Sequence, residues 1–401
     1  MSVPSYITDS LLPFKDFTDL KVSVVKVNAF GNSTFSATGQ NEIQYKLPRF
    51  GVLIGTKSKH YFEAKVDGDS SNDDRFMSDT HTIFDRQIVE VGNQESIRED
   101  EWGWFRAIEF DARASASDRN SVSSTIMGIP AQSASGSYKK YCLPLASKWD
   151  NKGFFAHPLP LFHMDQVTLK YFINRSLPEF TTATTASTSV DIQNAVLECY
   201  IVDSPSIRKL FQSADVIRSF DTHYWYQAKL PSGVTQFNIN VPAAFQNMRG
   251  VALLQRDTVD PTDPNWATGT ALATYKYTNA FQLNGLNKFS VSIDGVQYPD
   301  KEVDLTDYTE LIPNVERFWN VEKLGDWHDA IDATDGKNYM ALSFSGTDEG
   351  VSGMNLSNKS GTVILQGTFS SSLSAQTDAD IFIVYSKYYK IGKDGSFSVT
   401  K

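Results

Sequence analysis

The feature that most constrains the fold is an alternation of apolar and polar residues at a period of two, repeated along the chain. In "TQFNINV", Phe237, Ile239 and Val241 fall on one side, with Asn238 and Asn240 on the other. The stretch "FSVSI" repeats the pattern with Phe289, Val291 and Ile293. Successive side chains of a strand point to opposite faces, so this pattern builds a half-buried strand and is scrambled on a helix. Strands are expected in the first half at "LKVSVVKVNAF", "IQYKL", "RFGVLIG", "HYFEAKV", "FRAIEFDA", "KYCLPLA", "QVTLKYF" and "NAVLECYIV". The second half offers "TQFNINV", "GVALLQ", "NKFSVSIDGVQY", "YMALSFS", "GTVILQGTF" and "DIFIVYSKYY". One interruption separates the two sets. In "SPSIRKLFQSADVIRSF", Ser204 and Ser206 are suited to cap a helix, and Ile207, Leu210, Phe211, Val216 and Ile217 recur at helical spacing. Two strand sets flanking one helix predict an all-β chain of two β-sandwiches in series. The expected division is an arm over 1–19, a first sandwich over 20–203, a helical connector over 204–225 and a second sandwich over 226–401.

At 401 residues the chain is long enough for two domains, each with its own core. Aromatic content of 12%, with 26 Phe and 17 Tyr, favours strands over helices. The formal charge of −10, with no cluster of Lys and Arg, argues against a nucleic-acid surface, because phosphate neutralisation needs clustered cations. Cys142 and Cys199 sit in apolar strand-like runs and read as buried thiols, which suits a reducing compartment. The start, "MSVPSYITDSLLPFKDF", lacks the basic opening and apolar core of a signal peptide, so synthesis in the cytosol is expected.

Three clusters invite chemical readings. In "KGFFAHPLPLFHMDQVTLKYF", His157, His163 and Asp165 lie close together. The histidines are six apart with Pro158 and Pro160 between them, which forbids the helix that would place two ligands on one face, so hydrogen-bonded packing residues are expected. The acidic run Asp67, Asp69, Asp73 and Asp74 lacks the spaced Gly and closing Glu of a calcium loop and reads as a solvated loop. Cys142 with His157 has no third group to complete a nucleophilic site. The tryptophans, Trp102, Trp104, Trp149, Trp225, Trp266, Trp319 and Trp327, read as packing residues, with a sugar-stacking platform as the alternative. No catalytic, cofactor-binding or metal residue is assigned, and the chain is not expected to be an enzyme. A lectin-like carbohydrate-binding sandwich is the alternative class.

Several segments, in order, resemble major capsid proteins of large eukaryotic DNA viruses, virophages and Polinton-like viruses. The resemblance is carried by Leu143, Pro144 and Leu145, then Leu159, Pro160 and Leu161, then Val167 and Leu169. It continues in Asp203, Arg208 and Phe211 at the strand-to-helix passage, in the strand pair "NGLNKFSVSIDGVQYPDKEVD", and in Ser352, Gly353, Asn355 and Ser357 ahead of a closing Tyr-rich strand. Together these cover about a third of the chain. The resemblance implies a double jelly roll: two eight-stranded sandwiches, with three chains forming a pseudo-hexagonal capsomer of an icosahedral virion shell. It also implies synthesis in host cytoplasm, neighbouring capsomers, penton and minor capsid proteins as partners, and an inner viral membrane as a further possible one, with the N-terminal arm at the capsomer base. The proline-rich turns before Val167 would then lie at a rim of the first sandwich where subunits meet.

Overall fold

In a computed structural model of the protein, the residues described are 19–67, 80–113, 138–146, 153–174, 189–242, 245, 247–257, 285–321, 340–344, 354–356, 362–374 and 376–400. They form four sheets, two in each half of the chain. The first sheet orders β1 (Lys21–Asn28), β10 (Ser189–Asp203), β5 (Lys59–Asp67) and β8 (Lys139–Pro144), with β2 (Thr34–Ser36) and β4 (Val52–Leu53) also paired to β10. Opposite it lies β3 (Glu42–Lys46), β9 (Val167–Ile173), β6 (Phe84–Val91) and β7 (Gln94–Asp100).

The second half repeats this path strand for strand. One sheet orders β11 (Val216–Leu230), β18 (Thr377–Ile391), β13 (Met248–Asp257) and β16 (Met340–Ser343), with β19 (Phe397–Val399) added to β18. The other orders β12 (Gln236–Pro242), β17 (Thr362–Phe369), β14 (Leu286–Ile293) and β15 (Val296–Asp304). In each half the last long strand returns between the first and third, every pairing is antiparallel, and the result is a jelly roll. The repetition extends to turns. Gly92 and Asn93 join β6 to β7, and Asp294 and Gly295 join β14 to β15; all four have positive φ, the two-residue hairpin turn whose twist matches its strands. A helix then follows each hairpin: α1 (Trp102–Arg113) in the first half, α3 (Tyr308–Trp319) in the second. Between the halves lies α2 (Pro205–Ser213).

Three expectations are corrected. "FRAIEFDA" belongs to α1, not to a strand. Trp104, Phe105, Ile108 and Ala112 recur three and four apart on one side and Arg106, Glu109 and Arg113 do so on another, the spacing of a helix and not of a strand. "RFGVLIG" supplies only the two-residue β4 before the chain turns at Gly55. The helical connector expected over 204–225 ends at Ser213, and Val216–Leu230 is β11, paired with β18 residue by residue from Val216 with Ile391 to Leu230 with Thr377. Ser204 caps α2 by accepting from the Ser206 and Ile207 amides, and Pro205 opens it, but Ala214 is already extended. Of the N-terminal arm, residues 1–18 lie outside the described residues; Asp19 accepts from the Ser204 and Ser206 hydroxyls.

Each sandwich has its own core, and the two cores exchange residues. Phe220, Tyr389 and Ile391 of the second half pack with the first core, while Trp104, Phe105, Ile108 and Ala112 of α1 pack with the second.

Candidate functional site

The seam between the sandwiches and the strand edges beside it carry the geometry that bears on function. On the first side stand β7, α1 and the turn at Phe154–Ala156; on the second stand β11 and β18. Phe154 meets Phe220 and Tyr389 edge-on, with ring centroids 5.5 and 5.4 Å away. His157 donates Nε2–H to the Ser219 carbonyl at 2.8 Å, and His163 donates to the Gly392 carbonyl at 3.0 Å. The expected packing role for both histidines is what this geometry displays, and the cross-sandwich partners explain why two polar rings sit beside a proline-rich turn. Through these two histidines the turn meets the second sandwich of its own chain.

Further along, the Thr222 hydroxyl donates to Glu99 at 3.0 Å, and His223 donates Nε2–H to the Asp100 carbonyl at 2.7 Å. The His223 ring stacks on Phe105 at 4.3 Å, and Phe105 also approaches Trp319 and Phe382. Burial lowers the His223 imidazole to about 3, so it stands neutral in the seam. Burial alone would raise the Asp100 carboxyl, but the Arg98 and Arg86 guanidinium groups hold it below its ordinary value. On the second side Arg249, itself buried, bonds Asp221 at 3.1 Å, and Asp221 also accepts from Ser386 at 2.6 Å. A cavity of about 20 Å³ lies among His81, Gln87, Glu99, Arg106 and Phe154, room for one water molecule and no substrate.

The residues singled out in the sequence are dispersed. Cys142 and Cys199 are buried free thiols; burial pushes Cys142 up despite its hydrogen bond with Tyr61, and pushes Cys199 to about 12, which makes both poor nucleophiles. Trp102, Trp104 and Trp319 are buried, and Trp225 donates to Asp380 at 3.0 Å, so these four are packing residues. Trp149, Trp266 and Trp327 lie outside the described residues, as do Asp69, Asp73 and Asp74 of the acidic run; Asp67 ends β5. Among the described residues no three His, Cys, Asp or Glu side chains cluster as a metal would require.

The motif residues have clear places. Leu143, Leu145, Leu159, Leu161, Val167 and Leu169 are buried in the first core, and Leu159 bridges to Leu53. Arg208 grips Asp203 with two bonds of 2.7 and 2.6 Å, holding its carboxyl below the ordinary value, and lies over the Phe162 ring. Phe211 packs with Val52, Ile54, Val202 and Ile207. Ser352, Gly353 and Ser357 lie outside the described residues. Sequence reasoning missed Glu99, Asp100, Thr222 and His223, because β7 has a single apolar residue, Ile97, and gives no alternating signal.

No protein-family model and no curated protein matches this sequence. Solved structures do match its fold. The PBCV-1 virus capsid quasi-atomic model aligns with a TM-score of 0.68 at 13% identity, covering 98% of this chain and 100% of that one. The Faustovirus major capsid protein aligns at 0.58 and 9% identity, over 94% of this chain and 91% of that one. A chain of the Sputnik virophage structure aligns at 0.58 and 10% identity, over 98% and 90%. The likeness is one of fold, and it covers both sandwiches: the chain has the double jelly-roll architecture of these capsid proteins.

Proposed function

We propose that this chain is a major capsid protein of an icosahedral virion, acting as a building block and not as an enzyme. The observation that carries the proposal is the end-to-end agreement of a two-sandwich chain with a capsid protein over 98% of its own length and 100% of the other's. The internal repeat supplies the physical logic. Two similar sandwiches locked head to tail by a buried seam make a unit in which one fold occurs twice, and three such units closing a ring would present six sandwiches with a near-hexagonal outline that tiles a flat lattice. Capsomers would pack beside one another and beside penton and minor capsid proteins, with an inner viral membrane as a further surface beneath. The arm, residues 1–19, is the segment proposed to reach those inner partners, and production in host cytoplasm fits the buried free thiols. The acidic balance of −10 supports a shell with no direct nucleic-acid contact.

Light scattering on the purified protein tests the reading, with negative-stain imaging of the same sample. The expected result is about three chains per particle and a near-hexagonal outline; a stable monomer at micromolar concentration counts against it.

A further inference from the structure

We propose that a concavity at one end of the first sandwich, walled by the exposed ring of Phe30, is a binding site for a neutral sugar. The site goes beyond the shell reading above and stands on a single chain.

The internal repeat shows where the fold carries more than it needs. In the second half, β11 passes to β12 through five residues, 231–235. The matching passage of the first half, from β1 to β3, runs over thirteen, 29–41, and holds the short strand β2. A connection longer than its sandwich requires, with structure of its own, is a favoured place for binding residues. Phe30 donates its amide N–H to the Gln44 carbonyl at 2.8 Å, Ser36 donates to the Gln40 carbonyl at 3.0 Å, and β2 pairs with β10. Gly31, at φ +96°, takes the turn after Phe30 in the region that favours glycine, and a Cβ there would stand 3.9 Å from Gln40 Nε2.

The passage borders an open concavity of about 430 Å³, within the size range of small-molecule sites. Phe30 is the one large apolar group that lines it; Gln40, Asn41, Glu42 and Gln44 bring amides and a carboxylate. Phe30 is 58% exposed, more than any other Phe, Tyr or Trp among the described residues. Lys46 Nζ lies 4.5 Å from its ring centroid, so a cation steadies one face and the other is left to a ligand.

These groups together select a class of ligand. A pyranose offers a face of C–H groups, which packs on an aromatic ring, and a rim of hydroxyls that each donate and accept. Amides match such a rim from both ends, and a carboxylate accepts from it. The Gln44 side chain bonds to no other described residue. Gln40 is oriented by Asn32, which donates to its Oε1, while its own Nε2 reaches the Glu42 carbonyl at a long 3.5 Å, a bond that a ligand hydroxyl can replace. Glu42 has Lys170 3.5 Å away, and its side chain is still 37% exposed. That carboxylate and the chain's charge of −10 disfavour an anionic ligand such as a nucleotide or a sialylated sugar. An apolar ligand would leave the amides unpaired. A neutral sugar meets every group.

The place in the fold suits a surface site. β1 runs from Lys21, whose partner Asp203 adjoins α2, to Asn28, two residues before Phe30. The concavity therefore lies at the opposite end of the sandwich from the start of β1. With the arm reaching inward as proposed above, this end faces outward, where a glycosylated surface would be met.

An array of neutral and sialylated oligosaccharides, probed with the purified full-length chain and followed by titration calorimetry on the bound members, tests the site. Binding to neutral glycans is expected. Phe30→Ala and Gln44→Ala should each weaken it at least tenfold, whereas Phe30→Trp, which keeps an aromatic face, should retain it. Phe50→Ala, at an exposed aromatic outside the concavity, should leave it unchanged. Thermal melting verifies that each variant folds. An array on which no neutral glycan is bound, or binding that Phe30→Ala leaves intact, overturns the site. The two readings fail separately: particle mass by light scattering decides the capsomer, and glycan binding by the chain decides this site.

Discussion

His223 shows at the scale of one residue how the seam depends on pH. Its imidazole donates to the Asp100 carbonyl, stacks on Phe105, and is pushed down to about 3 by burial; His60, in the first core, is likewise pushed to about 3 by burial. An unfolded histidine titrates near 6.5, so below that pH the unfolded chain takes up a proton that the folded chain refuses until about pH 3. The sign follows: stability is full above about pH 6.5 and falls as pH drops, by roughly 1.4 kcal/mol per pH unit for each such histidine. Carboxylates held low in the fold, such as Asp100 and Asp203, add their own acid loss only nearer pH 4. Between about pH 6.5 and 5 each of these two histidines adds its own loss to the slope. His223→Gln keeps a donor for the Asp100 carbonyl and removes the titration, so urea midpoints across that window should fall less steeply than in the wild type, by the slope of one such histidine. A slope as steep as the wild type's would mean that His223 accepts its proton without unfolding. The sequence foretold a packing role for His157 and His163 because the intervening prolines bar a helix. It was silent on His223, whose role depends on a partner strand 123 residues away.

At the scale of elements, α1 is the wedge that joins the two halves, and Phe105 is its central contact, against His223, Trp319 and Phe382. Truncating a buried phenylalanine typically costs about 3–5 kcal/mol. Phe105→Ala is expected to lose that much and to split thermal unfolding into two transitions, because the lost contacts lie between the cores. Phe289→Ala, inside the second core alone, should lower stability by a similar amount while keeping one transition. A single transition in both variants would place the coupling elsewhere along the seam. The same helix marks where the sequence was legible and where it was not. Strands with one face buried, such as β12, announce themselves through alternation. α1 does not, because it is buried on almost every side and carries Arg106, Glu109 and Arg113 among its apolar residues. β7 has too few apolar residues, and α3 carries Pro313, which breaks the usual helix signal. β11 was hidden behind the cap and proline that open α2, and only its full pairing with β18 reveals it as a strand.

For the whole molecule, the balance of charge sets opposite salt dependences for two kinds of contact. With 37 basic and 47 acidic residues each chain carries −10, so the three chains of the proposed capsomer would carry −30, and such capsomers brought edge to edge would repel one another. A contact between chains of the proposed capsomer that covers exposed Val22, Val24 or Val296 would lose only its electrostatic part when salt is added. Screening shortens from about 10 Å at 0.1 M to about 3 Å at 1 M, which removes most of the repulsion between capsomers while leaving apolar burial intact. Raising sodium chloride from about 20 mM to about 500 mM should therefore turn a solution of trimers into larger assemblies, visible as a rise in scattered intensity and as shells or sheets by negative stain. The trimer should survive across the same range, because its apolar contacts do not depend on screening. Assemblies that form at low salt and dissolve as salt is added would mean that attractive ion pairs, and not shape and apolar contact against a repulsive background, hold the lattice together.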